Sequence, residues 1–194
     1  MSTAGTPQAT KVRYLIEAKG STFTVRAFAT GMLSAFGHNP TIAIPDLQGE
    51  IHFASDTPEG SSLRIVIQAA SLAVTGDISA KDRQEIERRM HDEVLETDGF
   101  PEIIYDCPRA SSIQKMGEGL YVVELNGDLA LHGVTRRQPV SARVTVRGDV
   151  VRSAGEFSLC QSDYEIKPVS AGGGTVKLKD EIKLSFDIVA RKQA

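Results

Sequence analysis

The 194 residues can bury one compact core, and 22 Lys and Arg against 25 Asp and Glu leave a net charge of −3, so a phosphate-backbone partner such as nucleic acid is not expected. No apolar run is long enough for a transmembrane helix, and the opening MSTAGTPQATK has neither the basic start nor the apolar middle of a secretory signal. A cytoplasmic protein is therefore expected, or a periplasmic one where a leader has been removed.

Residues 1–12 are small and polar without periodicity and read as a disordered tail, leaving one domain over 13–192. Most of that domain alternates with period two, the pattern of strands with one buried and one wet face. Phe23 and Val25 alternate with Thr22, Thr24 and Arg26, and Ile51 and Phe53 with Glu50 and His52. Between these two segments lies 31-GMLSAFGHNPTIAI-44, in which Gly37, Asn39 and Pro40 suit a turn, while Ser34 and His38 form a weak nucleophile–base pair at i,i+4. Leu63, Ile65 and Ile67 continue the alternation.

The period changes in 77-DISAKDRQEIERRMHDEVLETDGFP-101, where Ile86, Met90 and Val94 recur every four residues. This spacing predicts an amphipathic helix, capped by Ser79 with Asp82, carrying Glu85 and Arg89 at i,i+4 and stopped by Gly99 and Pro101. Its charges read as a solvated face, with His91 on the polar side; His52 is likewise expected to point outward.

Strand alternation resumes through Val140, Ala142, Val144 and Val146, and through Ile182, Leu184, Phe186 and Ile188. Gly148-Asp149 reads as a two-residue hairpin and Lys115 to Gly119 as a longer one. Asn126-Gly127 can be a hairpin turn or a bulge inside a long strand. The glycine run 170-SAGGGTVKLK-179 lacks phosphate-loop spacing and leads into a strand, so a hairpin or rim loop is expected. Arg136, Arg137, Arg143 and Arg147 can hold an anionic group or simply be solvated. Cys107 and Cys160 read as small hydrophobes without a disulfide, and no metal-ligand spacing joins the four histidines, so neither metal nor cofactor is expected. Eight or nine strands with one helix inserted midway predict an all-β fold: an antiparallel, lipocalin-like, eight-stranded barrel whose interior holds packed side chains or one small ligand.

Several segments together resemble the YceI-like family. These are 14-YLIEAKGSTFTVRAFATG-31, similar to its opening hairpin; 48-QGEIHFASDTPEGSSLRIVIQAASLAVTG-76; 98-DGFPEIIYD-106; 127-GDLALHGVTRRQPV-140; 157-FSLCQSDYEI-166; and 180-DEIKLSFDIVAR-191. The resemblance implies a lipocalin-like barrel implicated in binding long isoprenoid lipids. It also implies a bulged continuous strand at Asn126, with the turn at His132-Gly133-Val134-Thr135 and a structural role for His132. The family allows a homodimer.

The expected function is a non-enzymatic carrier for a polyisoprenoid or other long-chain lipid held in an apolar tunnel. Alternation points Ile16, Phe23, Val25, Phe53, Ile67, Tyr105, Val144, Phe157 and Phe186 inward. Phe36, His38, Tyr164 and Arg136 are placed at the mouth, Arg136 toward a headgroup. Two rival readings stand beside this one: a metal-dependent or hydrolytic protein centred on His38 with Ser34, Asn39 or His132, and a filled barrel acting as an interaction module.

Overall fold

The computed structural model describes residues 11–30, 40–54, 60–167, 170–171 and 176–193. Residues 1–10 of the expected tail lie outside this set, as do Ser34, Phe36, His38 and Asn39. The first strand, β1 (Val12–Arg26), does not reverse into the expected opening hairpin. Gly20, at φ 100°, and a register shift between Glu17 and Thr22 bend it into one long strand. The Ser21 hydroxyl replaces the interrupted ladder, donating to the Glu17 carbonyl at 2.6 Å and accepting from Val189 N–H at 3.0 Å. Bending, rather than turning back, lets β1 serve as both first and last member of a closed sheet.

The chain continues through β2 (Ala29–Thr30), β3 (Thr41–Ala43), β4 (Leu47–Phe53), β5 (Ser62–Gln68) and β6 (Ala73–Thr75) to the helix α1 (Ala80–Arg89). Beyond it come β7 (Glu102–Cys107), β8 (Ala110–Gly117), β9 (Leu120–Leu131), β10 (Val134–Arg147) and β11 (Val150–Cys160). The last three strands are β12 (Ser170–Ala171), β13 (Val176–Leu178) and β14 (Glu181–Lys192). Among the described residues, eight strands close in the order β1-β4-β5-β7-β9-β10-β11-β14-β1, every pair antiparallel. Closure removes the free edges of the ring, as the period-two pattern requires of a small all-β core. At one end β3 and β6 extend the sheet from β1, and β2, β12 and β13 form a small separate sheet, so the ends of the glycine run pair as a hairpin.

The turns follow their residues. His132 (φ 51°) and Gly133 (φ 75°) alone connect Leu131 to its partner Val134, both with the positive φ of a tight hairpin. Gly148-Asp149 is the expected two-residue turn, and Glu118-Gly119 turns the β8–β9 hairpin. Strand β9 is continuous through Asn126-Gly127, but it carries no bulge there: Asn126 faces Pro139 and Gly127 faces Gln138 in unbroken register. Gly127 is needed for a different reason. Here β9 passes from pairing with β7 to pairing with β8, and a Cβ would stand 2.6 Å from Tyr105 Cζ and 2.8 Å from the Asp106 carbonyl.

The predicted helix is shorter than its periodic pattern. Ser79 caps it, accepting from Asp82 N–H at 3.1 Å, and after Arg89 it loosens into a π turn over Met90–Val94, closed by Leu95 N–H to the Met90 carbonyl at 2.9 Å. The helix is strapped to β6. Arg83 donates to the Val74 and Gly76 carbonyls, and the Glu87 carboxylate accepts from Val74 N–H at 2.8 Å. His91, expected on the surface, is half-buried with Nδ1 enclosed and unpaired.

Among the described residues, two apolar clusters divide the barrel interior. One holds Tyr14, Phe53, Tyr121, Val123, Val144 and Val151 and is filled, with the Phe53 and Tyr121 rings edge-on at 5.1 Å. The other, around Phe23, Ile65, Leu129, Leu159 and Leu184, is covered by Met90 and the partly buried Val94 and Leu95 from the helix and π turn. Ile16 and Phe186 pack against both. The ring of Phe186 has room because Gly155 faces it, where a Cβ would meet Phe186 Cζ at 2.8 Å.

Candidate ligand cavity

The second cluster is hollow. A continuous cavity of about 480 Å³ occupies the helix-covered half of the barrel. Its wall is built by the inward positions of the strands: Phe23 and Val25 on β1, Ile65 and Ile67 on β5, Leu129 and Leu131 on β9, Phe157 and Leu159 on β11, and Leu184, Phe186 and Ile188 on β14. Alternation alone sends these side chains to one face. The helix supplies Ile86, Met90, Val94 and Leu95. Leu95 joins this face because the π turn adds a residue to the turn, and nothing in the local sequence announces that shift.

Among the described residues, polar groups on the wall are few, and most are engaged by the protein itself. Tyr105 contributes its ring, while its hydroxyl donates to the Gln138 carbonyl at 3.0 Å and accepts from Gly127 N–H at 3.0 Å. Burial pushes the phenol up to about 12. The Gln161 amide donates to the Lys179 and Asp180 carbonyls. Glu85, exposed, and Arg89, half-buried, both read from sequence as part of a solvated face, also line the cavity, paired at 2.6 Å. Hydrogen bonds from Arg88 and Arg89 hold the Glu85 carboxyl at about 2.

Of the residues expected inward, Phe23, Val25, Ile67, Tyr105, Phe157 and Phe186 line this cavity. Phe53 and Val144 point inward in the filled half, beside a pocket of only about 40 Å³, and Ile16 packs between the two halves. Tyr164, placed at the mouth by sequence, is buried in the hollow half's surrounding core, 2 % exposed. Arg136 donates to the Asp163 carbonyl and is not among the lining residues. The other three arginines do not converge with it on a pocket: Arg137 donates to the Asn126 carbonyl at 2.7 Å and faces Asp128, while Arg143 and Arg147 are exposed.

Phe36 and His38 lie outside the described residues, as do Ser34 and Asn39 of the rival site. His132 is a turn residue. Its Nε2 lies 2.9 Å from Glu96 and its Nδ1 3.2 Å from the Tyr164 carbonyl, with the ring against Phe100 at 4.5 Å between centroids. Both cysteines are free thiols: Cys107 is fully buried and Cys160 half-buried, and burial raises both. Among the described residues no group of three or more His, Cys, Asp or Glu is placed to hold a metal ion, and no helix is long and apolar enough to cross a membrane.

Comparison with solved structures finds the same barrel elsewhere. BcnA of Burkholderia cenocepacia superposes with a TM-score of 0.66 at 16 % identity, covering 90 % of this chain and 98 % of its own. A polyisoprenoid binding domain from Saccharophagus degradans, implicated in plant cell wall breakdown, gives 0.66 at 15 % identity, covering 94 % of this chain and all of its own. The YceI protein of Campylobacter jejuni gives 0.60 at 14 %, covering 81 % and 88 %. At such identities the likeness is one of fold. No curated protein matches the sequence. The sequence pattern of the YceI-like domain, however, is matched over residues 7–190, and the chain belongs to the YceI-like family.

Proposed function

We propose that the protein is a non-enzymatic carrier that holds a long-chain amphiphile, a polyisoprenoid or comparable chain lipid, in the hollow half of its barrel. The observation that carries this reading is the continuous apolar cavity of about 480 Å³, within the size range of small-molecule sites. Transfer of a tail into it contributes about 0.8 kcal/mol per buried CH₂, so affinity needs no specialised side chain. A hydrolytic catalyst would need a nucleophile with a base beside it, and among the described residues the wall sets no His, Cys or Asp beside its one unengaged hydroxyl, Ser153. Tyr105, Gln161, Glu85 and Arg89 are instead occupied by backbone or by one another. The description of the Saccharophagus relative as polyisoprenoid binding supports the same reading.

The test is native mass spectrometry of the purified protein, with organic extraction and identification of what is released. A co-purified or readily loaded chain lipid is expected. Leu129→Trp, which places an indole in the hollow, should keep the barrel's circular dichroism and take up less lipid. Absence of any lipid together with no uptake of added lipid, or full uptake by Leu129→Trp, would sink the carrier reading.

A further inference from the structure

The cavity has a floor. Ile51, Leu63, Leu125, Ala142 and Ser153 line the 480 Å³ cavity on one side and the 40 Å³ pocket on the other. The two spaces therefore lie at adjacent levels of the barrel, with these five side chains at their junction. Beneath the small pocket the barrel is closed by the edge-on Phe53 and Tyr121 rings, with Tyr14, Val123 and Val151 packed around them. A tail entering the hollow half cannot thread the barrel. It must stop at this belt or turn back.

From this we infer that the barrel acts as a chain-length ruler: it buries one aliphatic or prenyl tail to a limit of about sixteen to nineteen carbons, and Leu125, with Ile51 and Leu63, sets that limit. The length follows from volume. An apolar cavity of about 150 Å³ takes up the six carbons of benzene, so one of 480 Å³ holds roughly sixteen to nineteen carbons. Longer tails gain nothing past the floor, because their extra carbons stay outside. The inference rests on the carrier reading and adds to it the size of tail accepted and the residues that determine it.

The experiment is displacement of a fluorescent polyene fatty acid by linear primary alcohols of about eight to about twenty-four carbons, at roughly fourfold tighter binding for each carbon buried. The wild-type protein should follow that slope to about sixteen to nineteen carbons and then level off. Leu125→Ala shortens a side chain at the junction, joins the small pocket to the cavity and should move the break about two carbons longer. Ser153→Leu adds bulk at the same level and should move it about two carbons shorter, so the test survives if one variant fails to fold. An unbroken slope through the whole wild-type series overturns the ruler, as does a break unmoved in both variants. No displacement by any alcohol overturns the carrier reading and the ruler with it.

Discussion

Tyr105→Phe separates what holds the barrel together from what lines its cavity. The ring lies on the cavity wall, but the hydroxyl joins three strands: it sits on β7, accepts from Gly127 N–H on β9 and donates to the Gln138 carbonyl on β10. Removing the oxygen leaves the Gly127 N–H without its partner where Gly127 packs closest to the neighbouring chain. A buried donor left unsatisfied costs about 1–3 kcal/mol, so a loss near 2 kcal/mol is expected, or roughly 4–8 °C in Tm for a chain of this length. Urea unfolding followed by circular dichroism should show the midpoint falling with an unchanged m-value, while lipid uptake stays at the wild-type level. The pH dependence supplies a second reading. Burial raises the Tyr105 phenol from 10.0 to about 12, so its contribution is fully present below pH 10 and is lost as pH rises from 10 toward 12. The Phe variant should therefore lose less stability over that interval; Tyr14 and Tyr164, also raised by burial, keep part of the decline. A stability loss under about 0.5 kcal/mol, or an altered lipid affinity, would refute the assignment of ring and hydroxyl to separate tasks.

Gly133→Ala should destabilise by about 1–3 kcal/mol, because the position has φ 75° and a Cβ would stand 2.6 Å from Phe100 Cε1; thermal melts measure it, and an unchanged Tm would contradict the packing. Glu85→Gln tests the ion pairs at the cavity rim. The carboxyl falls from its ordinary 4.5 to about 2 in the folded protein, so its contribution is present above pH 4.5 and lost as pH drops through about 2. The variant should show a shallower acid limb in Tm against pH over that window, and an identical limb would show that Arg88 and Arg89 do not hold the carboxylate in solution.

The barrel was legible in the sequence because its information is local. Inward and outward positions alternate residue by residue, so Phe23, Val25, Ile67, Phe157 and Phe186 could be assigned to the interior without knowing any partner strand. The helix cap and the Glu85–Arg89 pair were legible for the same reason, lying within four residues of each other. What escaped depends on distant partners. Nothing near Gly20 tells whether the chain reverses or bends; the answer lies in Val189 on β14, whose N–H donates to the Ser21 hydroxyl. Asn126-Gly127 carries a turn signal that three-strand packing around Tyr105 overrides. Which half of the interior is hollow follows from whether side chains from opposite walls meet: Phe53 and Tyr121 pack edge-on at one end, while Phe23, Phe157 and Leu129 line open space at the other. Alternation gives direction but not reach, so Phe53 and Val144 read the same as Phe23 and Val25.

That division bears on how the folded state stays stable. At about 24 cal/mol per Å³, a closed dry void of 480 Å³ would forgo about 12 kcal/mol of packing, as much as the whole stability of an ordinary domain. Opening to solvent at the rim, or collapse of Met90, Val94 and Leu95 onto the opposite wall, would reduce this upper bound, at the cost of loosening the helix and the π turn. A bound tail restores the missing contacts, so occupancy and stability should be linked. Removing lipid with organic solvent or a hydrophobic resin should lower Tm and increase amide exchange in residues 80–95 more than in the filled half around Val123, Val144 and Val151. Reloading at one hundred times Kd should recover about 2.7 kcal/mol. Equal Tm and equal exchange with and without lipid would mean that the hollow half is held open by its own walls, and the link between cavity and stability would fall.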